Sequence, residues 1–141
     1  MVDRSLIKRK LILLDAAKKA LERYPISSLK EFKKSHLLQK GVEKTLQEMI
    51  EICMDIGKHI IADEGFGFPE DGKAIFRILA EHDVVSTSTA DLLIHMVGFR
   101  NLIVHLYETI DVDVVYTIWK KKLGDFDRFV ADIQTFLKKQ D

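Results

Sequence analysis

This sequence of 141 residues has little cysteine, little proline and no excess of either charge, and each shortage excludes a class of protein. The single cysteine, Cys53, excludes an intramolecular disulfide framework and any zinc site built from several cysteines. Basic and acidic side chains number 22 each, so the formal net charge is zero. This balance excludes the wide cationic surface of proteins that coat nucleic acid or anionic membranes, but it permits a local basic site.

The sequence also lacks any apolar run near the roughly 18 residues of a membrane span. The residues from Met1 to Lys10 form a charged, amphipathic start rather than a signal peptide. Together with the lone cysteine, these features predict a cytoplasmic protein without membrane contact. The length, with 47% hydrophobic and 31% charged residues, predicts one domain over residues 1–141.

Strand signals are scarce, and the apolar residues recur every three or four positions, which predicts an all-α fold. The expected architecture is an antiparallel four-helix bundle with short extra helical turns. The predicted helices are Asp3–Tyr24, ended by Pro25; Ser35–Ile61; Lys73–His82; one from about Thr89 after a capping box of Ser88 and Asp91; and a closing helix that starts at Asp111 and Asp113 and is bent at Gly124.

Each predicted helix carries an apolar face that we expect to be buried, and Phe32 is expected to anchor the connection from Ile26 to Lys34. The predicted core residues are Leu6, Leu13, Ala17 and Leu21; Leu38, Val42, Leu46, Met49, Cys53, Ile56 and Ile60; Ile75, Phe76 and Leu79; Leu92, Leu93, Met96, Val97, Leu102 and Ile103; and Val115, Ile118, Trp119, Phe126, Phe129, Ile133, Phe136 and Leu137. The densest basic run, Lys120 to Lys122, favours a solvated face over an RNA contact.

The five histidines lack the spacing of a helical metal site, because neither His-x-x-x-His nor Glu-x-x-His occurs. We therefore predict no metal site and no cofactor. His36, His59 and His82 are expected at the surface. His95 faces an apolar segment and is expected to be a hydrogen-bonded core residue.

The stretch from Met96 to Asp111 concentrates polar groups in an otherwise apolar segment, namely Arg100, Asn101, His105 and Tyr107. A buried arginine without a partner is costly, so Arg100 should hold an ion pair or line a polar cleft. Residues five apart on a straight helix are rotated by about 140° from each other. Arg100 and His105 can therefore converge only if the helix distorts or ends between them, or if a second subunit contributes its copy across a two-fold axis.

The two side chains have complementary chemistry for cutting RNA. Histidine exchanges protons near neutral pH, so it can deprotonate a ribose 2′-hydroxyl or protonate a leaving 5′-oxygen. Arginine keeps its charge, and its forked donors match a phosphate that becomes more negative in the transition state. Cleavage without a metal would leave a 2′,3′-cyclic phosphate. An Arg–carboxylate pair with a purely structural role fits the same residues.

The segment resembles the signature of the HEPN superfamily, Arg-x4-His, and its longer form, Arg-x4-His-x-Tyr, is similar to that of HepT-type toxins of prokaryotic toxin–antitoxin pairs. The resemblance is strong over Met96 to Asp111, weaker over Val42 to Ile61 and the loop from Phe66 to Pro69, and only architectural elsewhere.

The resemblance implies an all-α, two-fold homodimer that is a metal-independent endoribonuclease and the toxin of such a pair. Arg100 and His105 would be its catalytic pair, with Asn101 as a supporting residue. The implied partner is a minimal nucleotidyltransferase antitoxin, which uses ATP to attach AMP to Tyr107. Added phosphate charge there would oppose the entry of RNA.

Two other functions remain compatible with the sequence. A helical dimer of this kind can bind a nucleotide or a partner protein at the same cleft without turnover. A metal-dependent bundle enzyme is disfavoured by the missing ligand spacings.

Overall fold

The computed structural model describes residues 2–25, 28–105 and 110–140, and these residues form seven α-helices and no strand. The prediction of an all-α fold is confirmed. Four of the seven helices are long and three are short. The helices are α1 (Arg4–Arg23), α2 (Leu29–Lys33), α3 (His36–Glu64), α4 (Gly72–Glu81), α5 (Thr87–His105), α6 (Val112–Lys121) and α7 (Gly124–Lys139).

Short polar side chains fix most helix starts. The side chains of Asp3, Ser28, Ser35, Asp71 and Asp111 each accept a backbone N–H from the first turn of the helix that follows. The predicted role of Asp111 is confirmed.

The predicted capping box at the start of α5 is wrong. Ser86, rather than Ser88, caps this helix, because its hydroxyl accepts the N–H of Thr89 at 3.1 Å. The helix consequently begins at Thr87, two residues before the predicted start.

Helix α3 lies at the centre of the fold, where it packs against α1, α2, α4, α5 and α6. It ends at Glu64, three residues beyond the prediction, because Gly65 adopts a left-handed conformation (φ 70°) that closes the last turn. The predicted core face of α3 is confirmed from Val42 to Ile60, with Leu38 partly buried. The three predicted core residues of α4 are also buried, and Phe32 is fully buried as expected.

The predicted closing helix is two helices. Lys122 and Leu123 interrupt it, and α7 begins at Gly124, so this glycine starts a helix instead of bending one. The apolar stripe nevertheless continues across the break, which is why its period concealed the interruption. Its predicted residues are buried from Val115 to Leu137, apart from the partly buried Phe136.

Two predicted apolar faces are wrong in detail. On α1 the buried residues are Ile7, Leu14 and Leu21, whereas Leu13 is 59% exposed. The segment 11–14 is apolar at every position, so its period does not fix which side is buried. On α5, Leu102 is 44% exposed instead of buried.

The histidines differ from the prediction at one position. His36 and His82 are exposed and His59 is partly exposed, as expected. His95 is exposed rather than in the core, and its Nδ1 lies 2.8 Å from the carbonyl oxygen of Asp91, one turn earlier.

Other surface features follow the sequence. The lysines at 120–122 are exposed, and the Lys120 ammonium lies 3.9 Å from the centroid of the Trp119 ring. Across the described ranges, no helix combines the length and apolar character needed to cross a membrane.

Candidate active site at the C-terminal half of α5

Arg100 is held by a carboxylate from the central helix. Its side chain is only 21% exposed, and it lies between α5 and α3. Both Nε and Nη2 of Arg100 donate to Oε2 of Glu51, at 3.1 and 2.7 Å. The predicted ion-pair partner of Arg100 is therefore present, and it is Glu51, 49 positions earlier in the chain.

This ion pair belongs to a longer hydrogen-bond network. Gln47, one turn before Glu51 on α3, donates from its amide to Oε1 of Glu51 at 3.3 Å. On the other side, Nη1 of Arg100 donates to the Asn101 side-chain oxygen at 3.2 Å. The network joins α3 to α5 and fixes the Arg100 side chain from two directions.

A cleft of about 620 Å³ opens beside Arg100. Its wall combines apolar side chains such as Leu13 and Ile52 with charges of both signs, including Lys10, Asp55 and Lys58. Lys10 forms an ion pair with Asp55. Arg100 thus both holds an ion pair and lines a cleft of mixed apolar and charged character, and the exposed side chain of Leu13 forms part of the cleft wall.

His105 lies in a different environment. It is the last residue of α5 and is exposed to solvent. Helix α5 is continuous from Thr87 through Arg100 to His105, so the helix does not end between the two residues. Their side chains leave the helix about 140° apart.

Within one chain, the structure brings Asn101 to Arg100 but leaves His105 on another face. Tyr107, the predicted site of AMP addition, lies outside the described residues.

An apolar groove flanks α5 on the side of α6. It has a volume of about 560 Å³, and its lining includes Phe99, Leu102, Val114 and Ile118 as well as His95. Leu102 and Val114 are 44% and 43% exposed. This groove places exposed apolar side chains on the same helix as the predicted catalytic pair.

The described part of the chain can also be compared with the requirements of a metal site and of a cysteine nucleophile. No group of three or more histidine, cysteine, aspartate or glutamate side chains there is arranged to hold a metal ion. Cys53 is fully buried, and this burial raises the pKa of its thiol, so it cannot serve as an accessible nucleophile.

Sequence reasoning missed Glu51 and Gln47. The only signal was the need of Arg100 for a carboxylate, and α3 offers several, including Glu43, Glu48 and Asp55. Choosing among them requires the relative rotation of α3 and α5, which neither local sequence contains.

Comparison with known proteins places this chain in a family. The model of the family described as "Ribonuclease HepT-like" matches residues 13–133. The mRNA nuclease HepT of Shewanella oneidensis is 34% identical over 104 residues, which cover 74% of this chain and 78% of that protein.

Solved structures agree over nearly the whole chain. A toxin–antitoxin complex with AMP-PNP superposes with a TM-score of 0.86 at 29% identity, covering 94% of this chain and 99% of that one. A tri-AMPylated HEPN toxin of Shewanella oneidensis in complex with MNT antitoxin gives a TM-score of 0.85 at 31% identity, covering 96% and 99%. The resemblance carried by the Arg-x4-His-x-Tyr segment is confirmed, and this chain belongs to the HepT-like ribonuclease family.

Proposed function

We propose that this protein is a metal-independent endoribonuclease, the toxin of a toxin–antitoxin pair, with Arg100 and His105 as its catalytic pair. One observation carries the proposal: Arg100 is oriented by Glu51 and Asn101 at the edge of a cleft, while His105 is exposed on the same helix. A family relative is described as an mRNA nuclease.

The two residues supply the parts of a transesterification. His105 accepts the proton of a ribose 2′-hydroxyl as its oxygen attacks the adjacent phosphorus. The bond from phosphorus to the 5′-oxygen breaks, and that oxygen takes up a proton from an imidazolium. The products are a 2′,3′-cyclic phosphate and a 5′-hydroxyl. Arg100 donates hydrogen bonds to the phosphoryl oxygens, whose negative charge increases in the transition state. Asn101 supports Arg100 by accepting from Nη1.

The working unit of this proposal is a two-fold homodimer. A continuous α5 keeps Arg100 and His105 on different faces of one chain, so a second copy must complete the pair. The exposed apolar side chains of Leu102, Val104 and Val114 near this end of α5 provide a surface for that copy. Dimerisation would cover these side chains and bring two copies of α5 together.

An observation also favours a non-catalytic alternative. The bond between Arg100 and Glu51 is what a purely structural ion pair requires. A dimer that only binds a nucleotide or a partner protein would keep this bond without needing an exposed His105.

The deciding experiment incubates the purified protein with RNA in the presence of a metal chelator. We expect cleavage with 2′,3′-cyclic phosphate ends, because neither catalytic group needs a metal. An absence of cleavage, or activity that returns only with added divalent metal, would contradict the proposal.

The proposed antitoxin is a minimal nucleotidyltransferase that adds AMP to Tyr107. Two structural relatives support this partner, since one is a toxin–antitoxin complex with AMP-PNP and the other is an AMPylated toxin bound to MNT antitoxin. We expect incubation with ATP and that partner to add AMP to the wild type and to Tyr24→Phe but not to Tyr107→Phe, as read by mass spectrometry. Tyr24 serves as the control because its half-exposed side chain is accessible and lies outside the motif. Modification of Tyr107→Phe at the wild-type level would contradict this assignment.

A further inference from the structure

We propose that Glu51 is a positioning residue that orients Arg100 toward the scissile phosphate, a role that rests on the proposed ribonuclease function. Glu51 comes from α3, whereas Arg100 and His105 lie on α5. Its Oε2 accepts from both Nε and Nη2 of Arg100, so it engages one whole edge of the guanidinium.

The donors of Arg100 can be counted. A guanidinium has five N–H groups. Glu51 accepts two of them and Asn101 accepts one from Nη1. One N–H on Nη1 and one on Nη2 therefore have no acceptor among the residues that the structure describes. Each terminal nitrogen of Arg100 thus keeps one N–H with which to donate to a phosphate oxygen.

The orientation is set by a rigid support. Glu51 lies within a helix of 29 residues, and its second oxygen, Oε1, accepts from Gln47. A free arginine side chain loses considerable rotamer entropy when it binds a ligand in one geometry. Because Glu51 restricts Arg100 beforehand, less of this cost falls on the transition state.

The charge of Glu51 predicts a specific kinetic signature. Its carboxylate partly neutralises Arg100, so removing it leaves a stronger and more mobile cation. We expect RNA to bind at least as well while the phosphate in the transition state is stabilised less. The loss should therefore appear in kcat, with KM unchanged or lower.

The primary test compares Glu51→Ala and Glu51→Gln with Glu81→Ala as a control. Glu81 is exposed on α4 and does not line the cleft beside Arg100, so its loss removes the same charge away from the site. We expect kcat to fall about tenfold in Glu51→Ala and about threefold in Glu51→Gln, which keeps an acceptor, and to stay within about twofold in Glu81→Ala. Circular dichroism confirms that each variant is folded, and Glu51→Gln decides the matter if Glu51→Ala does not fold.

A rescue experiment separates positioning from general stability. Added guanidinium ion should restore part of the activity of Arg100→Ala, because Glu51 and Asn101 still offer the acceptors that hold a guanidinium. The same ion should not restore Arg100→Ala/Glu51→Ala. Equal rescue of both variants, or a wild-type kcat in folded Glu51→Gln and Glu51→Ala, overturns the role of Glu51. Failure of the ribonuclease proposal itself looks different, since the wild type would then not cleave RNA or Arg100→Ala would be fully active.

Discussion

Arg100 and His105 lie five residues, about 1.4 turns, apart on α5, but their surroundings are opposite in kind. Arg100 is 21% exposed and donates to two side chains from two helices. His105 is exposed at the end of the helix. One half of the proposed catalytic pair is thus oriented within a single chain, whereas in the proposed dimer the other half would gain its setting from a second subunit.

This contrast is what the proposed dimer requires, because each chain would orient its own arginine and take the matching histidine from the second subunit. The cation must be oriented before the substrate arrives, since reorienting it would cost free energy in the transition state. The imidazole must reach a proton on the substrate, so it has to be accessible. In the proposed dimer, the placement of the two residues on different faces of one helix would make the second subunit part of the site.

The largest effect on RNA cleavage is expected when either residue of the proposed pair is removed, and mixing the two variants should restore part of the activity. Arg100→Ala and His105→Ala should each lower RNA cleavage by at least about 10²-fold, the range for losing a proton-transfer group or a transition-state donor. If each site takes its arginine from one subunit and its histidine from the other, mixing the two variants creates one intact site per mixed dimer. Random exchange then makes half of the dimers mixed, so activity should recover to about a quarter of the wild type.

The mixing experiment has two controls. Each variant alone is unfolded and refolded in parallel, and gel filtration verifies that subunits have exchanged. A mixture that remains as inactive as the separate variants would show that both residues act within one chain, which contradicts the shared site.

A smaller effect is expected from disturbing only the surface near His105. Leu102→Glu places a charge on the apolar side of α5, where dimerisation would bury it at a high cost. We expect monomers in analytical ultracentrifugation and cleavage lowered at least about tenfold at the same protein concentration, with helicity unchanged. Ile12→Glu is the matched control, because Ile12 is also an exposed apolar residue, 68% exposed, but lies on α1. A dimeric and active Leu102→Glu would remove this face from the interface.

How well the sequence predicted the buried residues depends on whether a helix is apolar on one side or on most sides. The core residues of α4, such as Phe76 and Leu79, were predicted correctly because that helix has one apolar side. Helix α5 is apolar on most sides, so its period could not show that Leu102 is exposed or that His95 points to solvent. Which of the apolar side chains of α5 are buried can be decided only from the packing of the neighbouring helices.

The site was predictable to a similar extent. The cost of burying a cation predicted that Arg100 has a partner, and helix geometry predicted its separation from His105. The identity of Glu51 could not be predicted, because a contact across 49 residues depends on how α3 and α5 pack. Local chemistry thus predicted the need for a partner, and tertiary structure selected it.

The smallest expected effect is on the free energy of unfolding, which can be compared for variants of Arg100 and His105 without any substrate. Arg100→Ala removes the partner of Glu51, a carboxylate that is 36% exposed, and should cost about 1 kcal/mol because both groups remain partly solvated. His105→Ala alters an exposed residue at a helix end and should change the free energy of unfolding by less than about 0.5 kcal/mol. Urea unfolding measured by circular dichroism at a fixed protein concentration resolves the two values. If His105→Ala were the more destabilising variant, His105 would be a structural residue within its own chain, and the contrast between the two halves of the pair would fail.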